Sequence, residues 1–338
     1  MKLTDLGERK LIKRFIKKLG ESKGDNLEDD CAFIPFGNQY LLLTSDMIAK
    51  KTHLPPEISA EQIGWFIVAI NLSDLAAKGG KPLGLLLNMG LPSDTSVDFV
   101  ERIAKGAGKC ASFFETHILG GDTKENPELT LAGTAIGMVK KENFMARKGA
   151  DPGDLVCVTG DIGKGGAGLF ALKNNIPNKL ELVRPLFEPT PRLKEGMALA
   201  SSKTVSSSMD LSDGLAYSLH LLKELNGCGF EIEMEKIPTS NEVSKVVDQL
   251  DRKQSVKAKK DFTLYSGGDY ELVIIVKQEK IRQAVNSVKS VGGKLTPIGK
   301  VTKENKVVLI DGGKRSQIRN LGYEHFCGKK GGSSNQSK

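Results

Sequence analysis

Histidine and tryptophan are scarce in this 338-residue chain, at four and one, and its five cysteines stand far apart at positions 31, 110, 157, 228 and 327. No two cysteines have CxxC spacing, and their number is odd. A thiolate zinc site and a disulfide framework are therefore excluded, and a reducing, cytoplasmic compartment is expected. No apolar run approaches the ~18 residues a membrane-spanning helix needs, so no membrane partner is expected. The first residues, MKLTDLGERKLIKRF, lack an apolar stretch, so no secretory leader is expected. No GxxxxGK[ST] sequence occurs, which excludes a P-loop. Aromatic residues for base stacking are few, with five tyrosines and one tryptophan. Lys and Arg (49) exceed Asp and Glu (41) by eight, but they are spread along the chain. That pattern reads as a solvated basic surface that attracts small anions, and no nucleic-acid partner is expected.

What remains is a soluble globular composition, 39% hydrophobic and 27% charged, long enough for two domains. The chain is organised around residues 59–80, SAEQIGWFIVAINLSDLAAKGG. Ser59 and Gln62 have capping-box spacing, and Gly79-Gly80 with Pro82 supply a stop. Ile63, Ile67 and Ile70 share one stripe, and Trp65, Val68, Leu72 and Leu75 make the opposite side apolar too. Asp74 falls on the isoleucine stripe of this doubly buried helix. A buried carboxylate must be neutral, paired or metal-bound. Pairing with a distant Arg or Lys is one solution, and a metal is the other.

In chain order, residues 3–19 read as one amphipathic helix carrying Leu3, Leu6, Leu11, Phe15 and Leu19 near one face. Strands over 31–34 and 39–44 flank a Pro-Phe-Gly-Asn turn. Such a hairpin brings Asp29 and Asp30, before the first strand, towards Asp46, after the second. A strand over 83–89, a helix from 93 or 94 to 110, and strands over 116–119 and 129–139 follow. Gly120-Gly-Asp-Thr123 ends the first of these last two strands and lets backbone approach a ligand. Residues 144–154 contain a cluster of breakers, and the domain boundary is placed there, giving domains 1–148 and 149–327. Residues 328–338 read as a disordered tail.

In the second domain, Gly163, Gly165 and Gly168 fit GxGxxG after a strand over 155–158. The proline-rich stretch that follows (LELVRPLFEPTPRL) disfavours a Rossmann unit, leaving a tight strand-to-helix turn near phosphate. A strand over 205–209 leads into Asp210-Leu-Ser-Asp213 at a helix start, where an N-cap explains only one of the two acids. A strand over 227–234, a polar helix over 240–260, a strand up to 276, a helix over 278–290 and strands near 294–300 and 306–310 complete an α+β domain. Leu-Ser-Asp (72–74, 211–213) and Gly-Gly-Asp (120–122, 267–269) recur in the same order, an echo suggesting that both halves present acids alike.

The acids Asp29, Asp30, Asp46, Asp74, Asp122, Asp210 and Asp213 come with the hydroxyls of Thr44, Ser45, Ser73 and Ser212. Oxygen ligands without His or Cys suit Mg²⁺, which bridges carboxylates to phosphates. So acidic a site would repel ATP unless several cations intervened. A multi-metal phosphoryl-transfer site follows, against the alternative of unrelated surface acids.

The chain resembles the thiamine-monophosphate kinase family of the aminoimidazole ribonucleotide synthetase superfamily. The resemblance rests on DDCA (29–32), TSD…H (44–53), NLSDLAAKGG (71–80), GGDT (120–123), an R-K-G-A-D-PGD stretch (147–154), VTG (158–160), DLSDGL (210–215), SGGDYEL (266–272) and GYEHF (322–326). It implies an α/β (α+β) two-domain aminoimidazole ribonucleotide synthetase-like fold. The N-terminal domain would carry a dimer-forming mixed sheet, and an α+β domain would follow. It implies several Mg²⁺ ions at Asp30, Thr44, Ser45, Asp46, Asp74, Asp122, Asp210 and Asp213. ATP, the co-substrate, would meet Gly121, Asp122, Arg147 and Ser212. Thiamine monophosphate would meet His53 and Tyr323, with Asp46, Asp122 and Arg147 at the chemistry. The family has Gly-Asp-Asp where this chain has Glu28-Asp29-Asp30. It also has one more acid after Ser266-Gly-Gly, so Asp269 is implied as a stand-in at the substrate.

The implied reaction is direct transfer of the ATP γ-phosphoryl group to thiamine monophosphate in a homodimer. The alternatives are another ATP-dependent superfamily member, of hydrogenase-maturation or aminoimidazole ribonucleotide synthetase type, a non-catalytic nucleotide sensor, or a basic RNA-binding module. A selenophosphate synthetase would carry a reactive N-terminal Cys, and Cys31 after the acidic pair is not one. The carbamoyl-dehydrating relative would end in a reactive Cys, and Cys327 is followed by eleven residues.

Overall fold

A computed structural model describes residues 1–19 and 29–326. The tail expected over 328–338, together with Cys327 and Glu28, lies outside the described residues. The first series of elements is α1 (Leu3–Leu6), α2 (Glu8–Leu19), β1 (Ala32–Phe36), β2 (Gln39–Ala49), α3 (Lys50–His53), α4 (Ala60–Ala77), β3 (Lys81–Leu91), α5 (Val97–Phe113), β4 (Ile118–Glu125) and β5 (Thr130–Lys140). The second is β6 (Leu155–Thr159), α6 (Lys164–Lys173), α7 (Lys179–Phe187), α8 (Leu193–Ser202), β7 (Val205–Asp210), α9 (Leu215–Asn226), β8 (Gly229–Glu233), α10 (Asn241–Val247), α11 (Arg252–Leu264), β9 (Leu272–Val276), α12 (Ile281–Ser290), β10 (Leu295–Thr302), β11 (Val307–Asp311) and β12 (Lys314–Gln317). Each series builds one sheet. The first is mixed, in the order β1-β2-β5-β3-β4, and the second runs β12-β11-β8-β10-β6-β9-β7. Strand β6 lies between two antiparallel neighbours, so the glycine pattern after it does not open a Rossmann unit.

Helix α4 is held between the halves. One side packs on β2, β5 and β3, and the other on α8 and β7. Its expected capping box forms: the Gln62 N–H donates to Ser59 Oγ (3.2 Å), and the Ser59 N–H donates to Gln62 Oε1 (3.0 Å). Helix α5 crosses α4 closely because glycines face backbone at the crossing. A Cβ on Gly64 would lie 1.9 Å from the Ile103 carbonyl oxygen, and one on Gly106 1.9 Å from the Glu61 carbonyl oxygen. Gly106→Ala therefore pushes the helices apart. Its melting temperature falls by roughly 3–10 °C, as overpacking of about 1–3 kcal/mol predicts. An unchanged melt would show that the helix pair slides freely.

Several expected boundaries move. The helix expected over 3–19 breaks at Gly7, whose φ of +78° takes the chain out of α1. Leu3 and Phe15 of its expected apolar face are exposed. Helix α5 starts later than expected because Ser96 Oγ caps it, accepting from the Phe99 N–H. The polar helix expected over 240–260 is two helices, with Asp251 capping the second. Strand β2 runs on to Ala49 because β5 pairs with it along its whole length. Asp46 therefore sits inside the strand. The echoed motifs do not share a structure: residues 72–74 are mid-helix and 211–213 a loop, while 120–122 are strand and 267–269 a loop.

Candidate active site

Four segments converge at the end of α4 that follows Asn71. Helix α4 supplies Ser73, Asp74 and Lys78, and β2 supplies Thr44 and Asp46. The loop before β1 supplies Asp29 and Asp30, and the end of β7 supplies Asp210. Carboxylate oxygens of Asp30, Asp74 and Asp210 lie within 4.8 Å of one another. Thr44 Oγ1 donates to Asp74 Oδ2 at 2.5 Å, and Ser73 Oγ to Asp210 Oδ2 at 3.0 Å. The Asp46 N–H donates to Asn71 Oδ1 (3.1 Å), while Asn71 Nδ2 donates to the Ile67 carbonyl inside α4 (2.8 Å). Asn71 thus fixes β2 against the helix.

Two cations stand behind this nest. Lys78, fully buried, places Nζ 2.5 Å from Asp29 Oδ1 and 2.8 Å from Asp30 Oδ2, and donates to the Ser208 carbonyl at 3.0 Å. The Arg147 guanidinium bonds Asp30 Oδ1, with Nε at 3.0 Å. Burial raises the Asp30 pKa, but Arg147 and Lys78 outweigh it and hold the carboxyl below its ordinary value. At the other acids burial prevails. Burial, then the charge of Asp30, pushes Asp46 to about 6. Burial and Asp30 also push Asp210 to about 7. Asp74 is driven well above the usual range by burial and by Asp46, Asp210 and Asp30. Among the described residues the charges that act most on Asp74 are those of other acids, and its hydrogen-bond donor is the Thr44 hydroxyl rather than an Arg or Lys.

These residues fit a hard divalent cation. The donors are carboxylates and a hydroxyl, with no His or Cys among them, and oxygens of three of the carboxylates already lie within 4.8 Å of one another. A raised folded-state pKa means that stability is complete below the unfolded value, near 4, and declines as pH rises through about 6–7. The metal-free chain should therefore melt higher at pH 6 than at pH 8. Mg²⁺ added at pH 8 should raise the melt and flatten that dependence. A metal-free melt that is flat across this range and indifferent to Mg²⁺ would count against a cation site.

Asp213 follows in the loop before α9, with its carboxyl raised to about 6, by burial above all. It is not the helix N-cap; Gly214 occupies that position. Ser212 Oγ donates to Asp210 Oδ1 at 3.2 Å. His53 ends α3 below the strand, its Nδ1 accepting from the Ala49 N–H at 3.3 Å. Its ring centroid lies 6.5 Å from that of Tyr323 and 5.1 Å from that of His325.

Three sets of expected residues are not brought to the nest of their own chain. Ser45 points to the opposite side of β2 from Thr44 and Asp46, where Oγ donates to the Gly133 carbonyl (2.9 Å), so its hydroxyl is not in the nest. Gly121 and Asp122 lie on β4, the exposed edge strand. Asp46 pairs with Gly133, Gly133 with Leu87, and Leu87 with Gly121. Gly121 is thus in the same row as Asp46 but three strands away, about 14 Å by strand spacing. Asp122, with its side chain 63% exposed, has Lys124 Nζ at 3.6 Å. Asp269 is buried and closes the start of α6, accepting from the Gly163 N–H (2.7 Å) and the Gly165 N–H (3.0 Å). It fills the helix N-terminus where a phosphate was considered. Lys78 was missed. At the end of a helix it reads as a partner for the helix dipole, and only the fold reveals the acids around it.

The sequence profile of the N-terminal domain of AIR synthase related proteins matches residues 28–139, and that of the C-terminal domain matches residues 151–312. Fold and acidic cleft together define an AIR synthase related protein. Thiamine-monophosphate kinases of Pyrococcus abyssi (31% identical, covering 96% of this chain and 98% of theirs) and Aquifex aeolicus (31%, 96% and 100%) are similar throughout. The chain belongs to the thiamine-monophosphate kinase family. The solved structure of AaThiL complexed with AMPPCP and TMP superposes with a TM-score of 0.84 at 28% identity, covering 96% of this chain and 99% of that one. HypE, an E. coli hydrogenase maturation protein, reaches 0.68 at 19% identity, over 92% of this chain and 97% of its own, which shows a shared fold alone. Among the described residues no helix is long and apolar enough to cross a membrane.

Proposed function

We propose that this chain transfers the γ-phosphoryl group of ATP to thiamine monophosphate, giving thiamine diphosphate and ADP. The observation that carries this reading is the carboxylate nest of Asp30, Asp74 and Asp210, too acidic for the cations around it. Its support is near-full-length similarity to thiamine-monophosphate kinases and to a relative solved with AMPPCP, an ATP analogue, and TMP.

Asp30, Asp46, Asp74, Asp210, Asp213 and Thr44 would hold Mg²⁺. When bound, the ions supply positive charge that screens the two phosphate substrates from each other and from the carboxylates. The nucleophile is a phosphate oxygen of the acceptor, already ionised near neutrality because the second pKa of a phosphate monoester is ~6. No general base is needed, and the chain's work is to hold two anions in line. Arg147, fixed at Asp30, and Ser212 would meet the nucleotide, and His53 and Tyr323 would receive the acceptor. In this reading the domains meet between residues 148 and 149.

The exposed β4 edge, with Leu119 58% and Leu86 38% exposed nearby, reads as the face that pairs with a second copy of the chain. Asp122 and Gly121, remote from their own nest, then serve the nest of the partner copy.

The test is to incubate the purified chain with ATP, Mg²⁺ and thiamine monophosphate and to separate the thiamine phosphates by chromatography. Thiamine diphosphate should accumulate with equimolar ADP and vanish when Mg²⁺ is chelated. ATP binding without product would overturn the assignment.

A further inference from the structure

We propose that the N-terminal helix buttresses the acceptor side of the site and that Arg9 is a positioning residue for Tyr323. This rests on the reading of Tyr323 as an acceptor contact. The two termini of the described chain meet here. Residues 321–326 form a strap without regular secondary structure, tied to the metal loop by the Tyr323 N–H donating to the Asp213 carbonyl (3.1 Å). On its other side the first turn of α2 grips it. Arg9 Nη2 donates to the Tyr323 carbonyl at 3.1 Å, and Arg9 Nε lies 3.5 Å from Glu324 Oε2. The Arg9 N–H donates to Glu324 Oε1 (3.2 Å), and the His325 N–H donates to Glu8 Oε2 (2.9 Å). The Arg9 guanidinium stacks 3.7 Å above the centroid of Tyr217, on α9, which fixes its direction.

The clasp determines what the strap presents. Tyr323 and His325 rings sit 4.9 Å apart, and both approach His53, at the end of α3, the short helix that follows the strand carrying Asp46. Three aromatic rings make a wall next to Asp213. Such a wall suits a flat, cationic ring such as the thiazolium of thiamine. Extended chain held from one side alone loses its order to conformational entropy. Removing the Arg9 fork therefore loosens the wall while leaving the carboxylate nest intact. Glu324 sits close against this corner as well: a Cβ on Gly7 would lie 2.8 Å from its Oε1.

Arg9→Ala and Arg9→Lys test this by steady-state kinetics and by amide hydrogen exchange on the full chain. In Arg9→Ala the KM for thiamine monophosphate should rise about tenfold, the scale of one lost charge-assisted hydrogen bond. The KM for ATP and kcat at saturating acceptor should stay within about twofold. Exchange at residues 321–326 should accelerate at least about tenfold, with β6 and β9 unaffected. Arg9→Lys, which keeps the charge but not the fork, should fall between. Unchanged strap exchange, equal rises in both KM values, or a looser strap with both KM values unchanged would each overturn the proposal. If the unaltered chain makes no thiamine diphosphate, the kinase reading fails, and strap exchange alone decides whether Arg9 positions residues 321–326.

Discussion

Asp46→Asn should lower thiamine diphosphate formation by roughly 10²–10³-fold or more at ordinary Mg²⁺, the scale of removing a group that organises transition-state charge. The same variant should melt no lower than the unaltered chain in the presence of a chelator. Both outcomes have one cause. Asp46 is a carboxylate pushed up to about 6 by burial and by Asp30, so its charge costs the empty site stability. Asn keeps the shape and removes that charge, but with it a ligand for the cation. A variant with full activity would show that Asp46 is not a ligand. One that unfolds would show that the residue is structural.

Asp122→Asn, on the edge strand, separates action within a chain from action across a pair. If Asp122 serves a partner's nest, mixing equal amounts of the two inactive variants should restore about a quarter of the unaltered activity, because half the pairs are mixed and each has one intact site. If it serves its own nest, the mixture stays inactive.

Lys78→Met should be the most destabilising single change at the site. Its ammonium is fully buried between Asp29, at 2.5 Å, and Asp30, at 2.8 Å. Burial opposes its charge, yet those two carboxylates raise its pKa above that of an ordinary lysine. Removing one partner of a buried ion pair leaves the other uncompensated, a loss of about 3–5 kcal/mol. For a chain of this size that is roughly 10 °C in a thermal melt. Asp29→Asn added to Lys78→Met should recover part of the loss, since it removes one of the two carboxylates that Lys78 faced. An unchanged melt for Lys78→Met would show that Arg147 alone neutralises the acids.

Helix α4 shows what local physics makes legible. Ser59, Gln62 and the apolar stripes around Asp74 follow from a 3.6-residue period and its caps, and they appear in α4 as read. So do the two-domain class and the hairpin of β1 and β2. These depend on chemistry within about ten residues of each other. Boundaries shifted where a partner from elsewhere intervened. Strand β2 extended because β5 pairs with it to Ala49.

The sequence by itself determined the architecture and, through its motifs, the resemblance to a family, since local pattern suffices for these; hard-cation chemistry it raised as an expectation. Only the tertiary structure decided which acids share a nest. Asp122, in a GGDT motif that reads like the others, goes to a sheet edge because, among the described residues, β4 pairs only with β3. Asp269, one residue from Tyr270 in a glycine loop, turns inward because the open N–H groups of Gly163 and Gly165 need an acceptor. Lys78 was silent for the same reason. A charge acquires its role from what lies within a few ångströms, and at Lys78 those neighbours come from segments about 50 and 130 residues away in the chain.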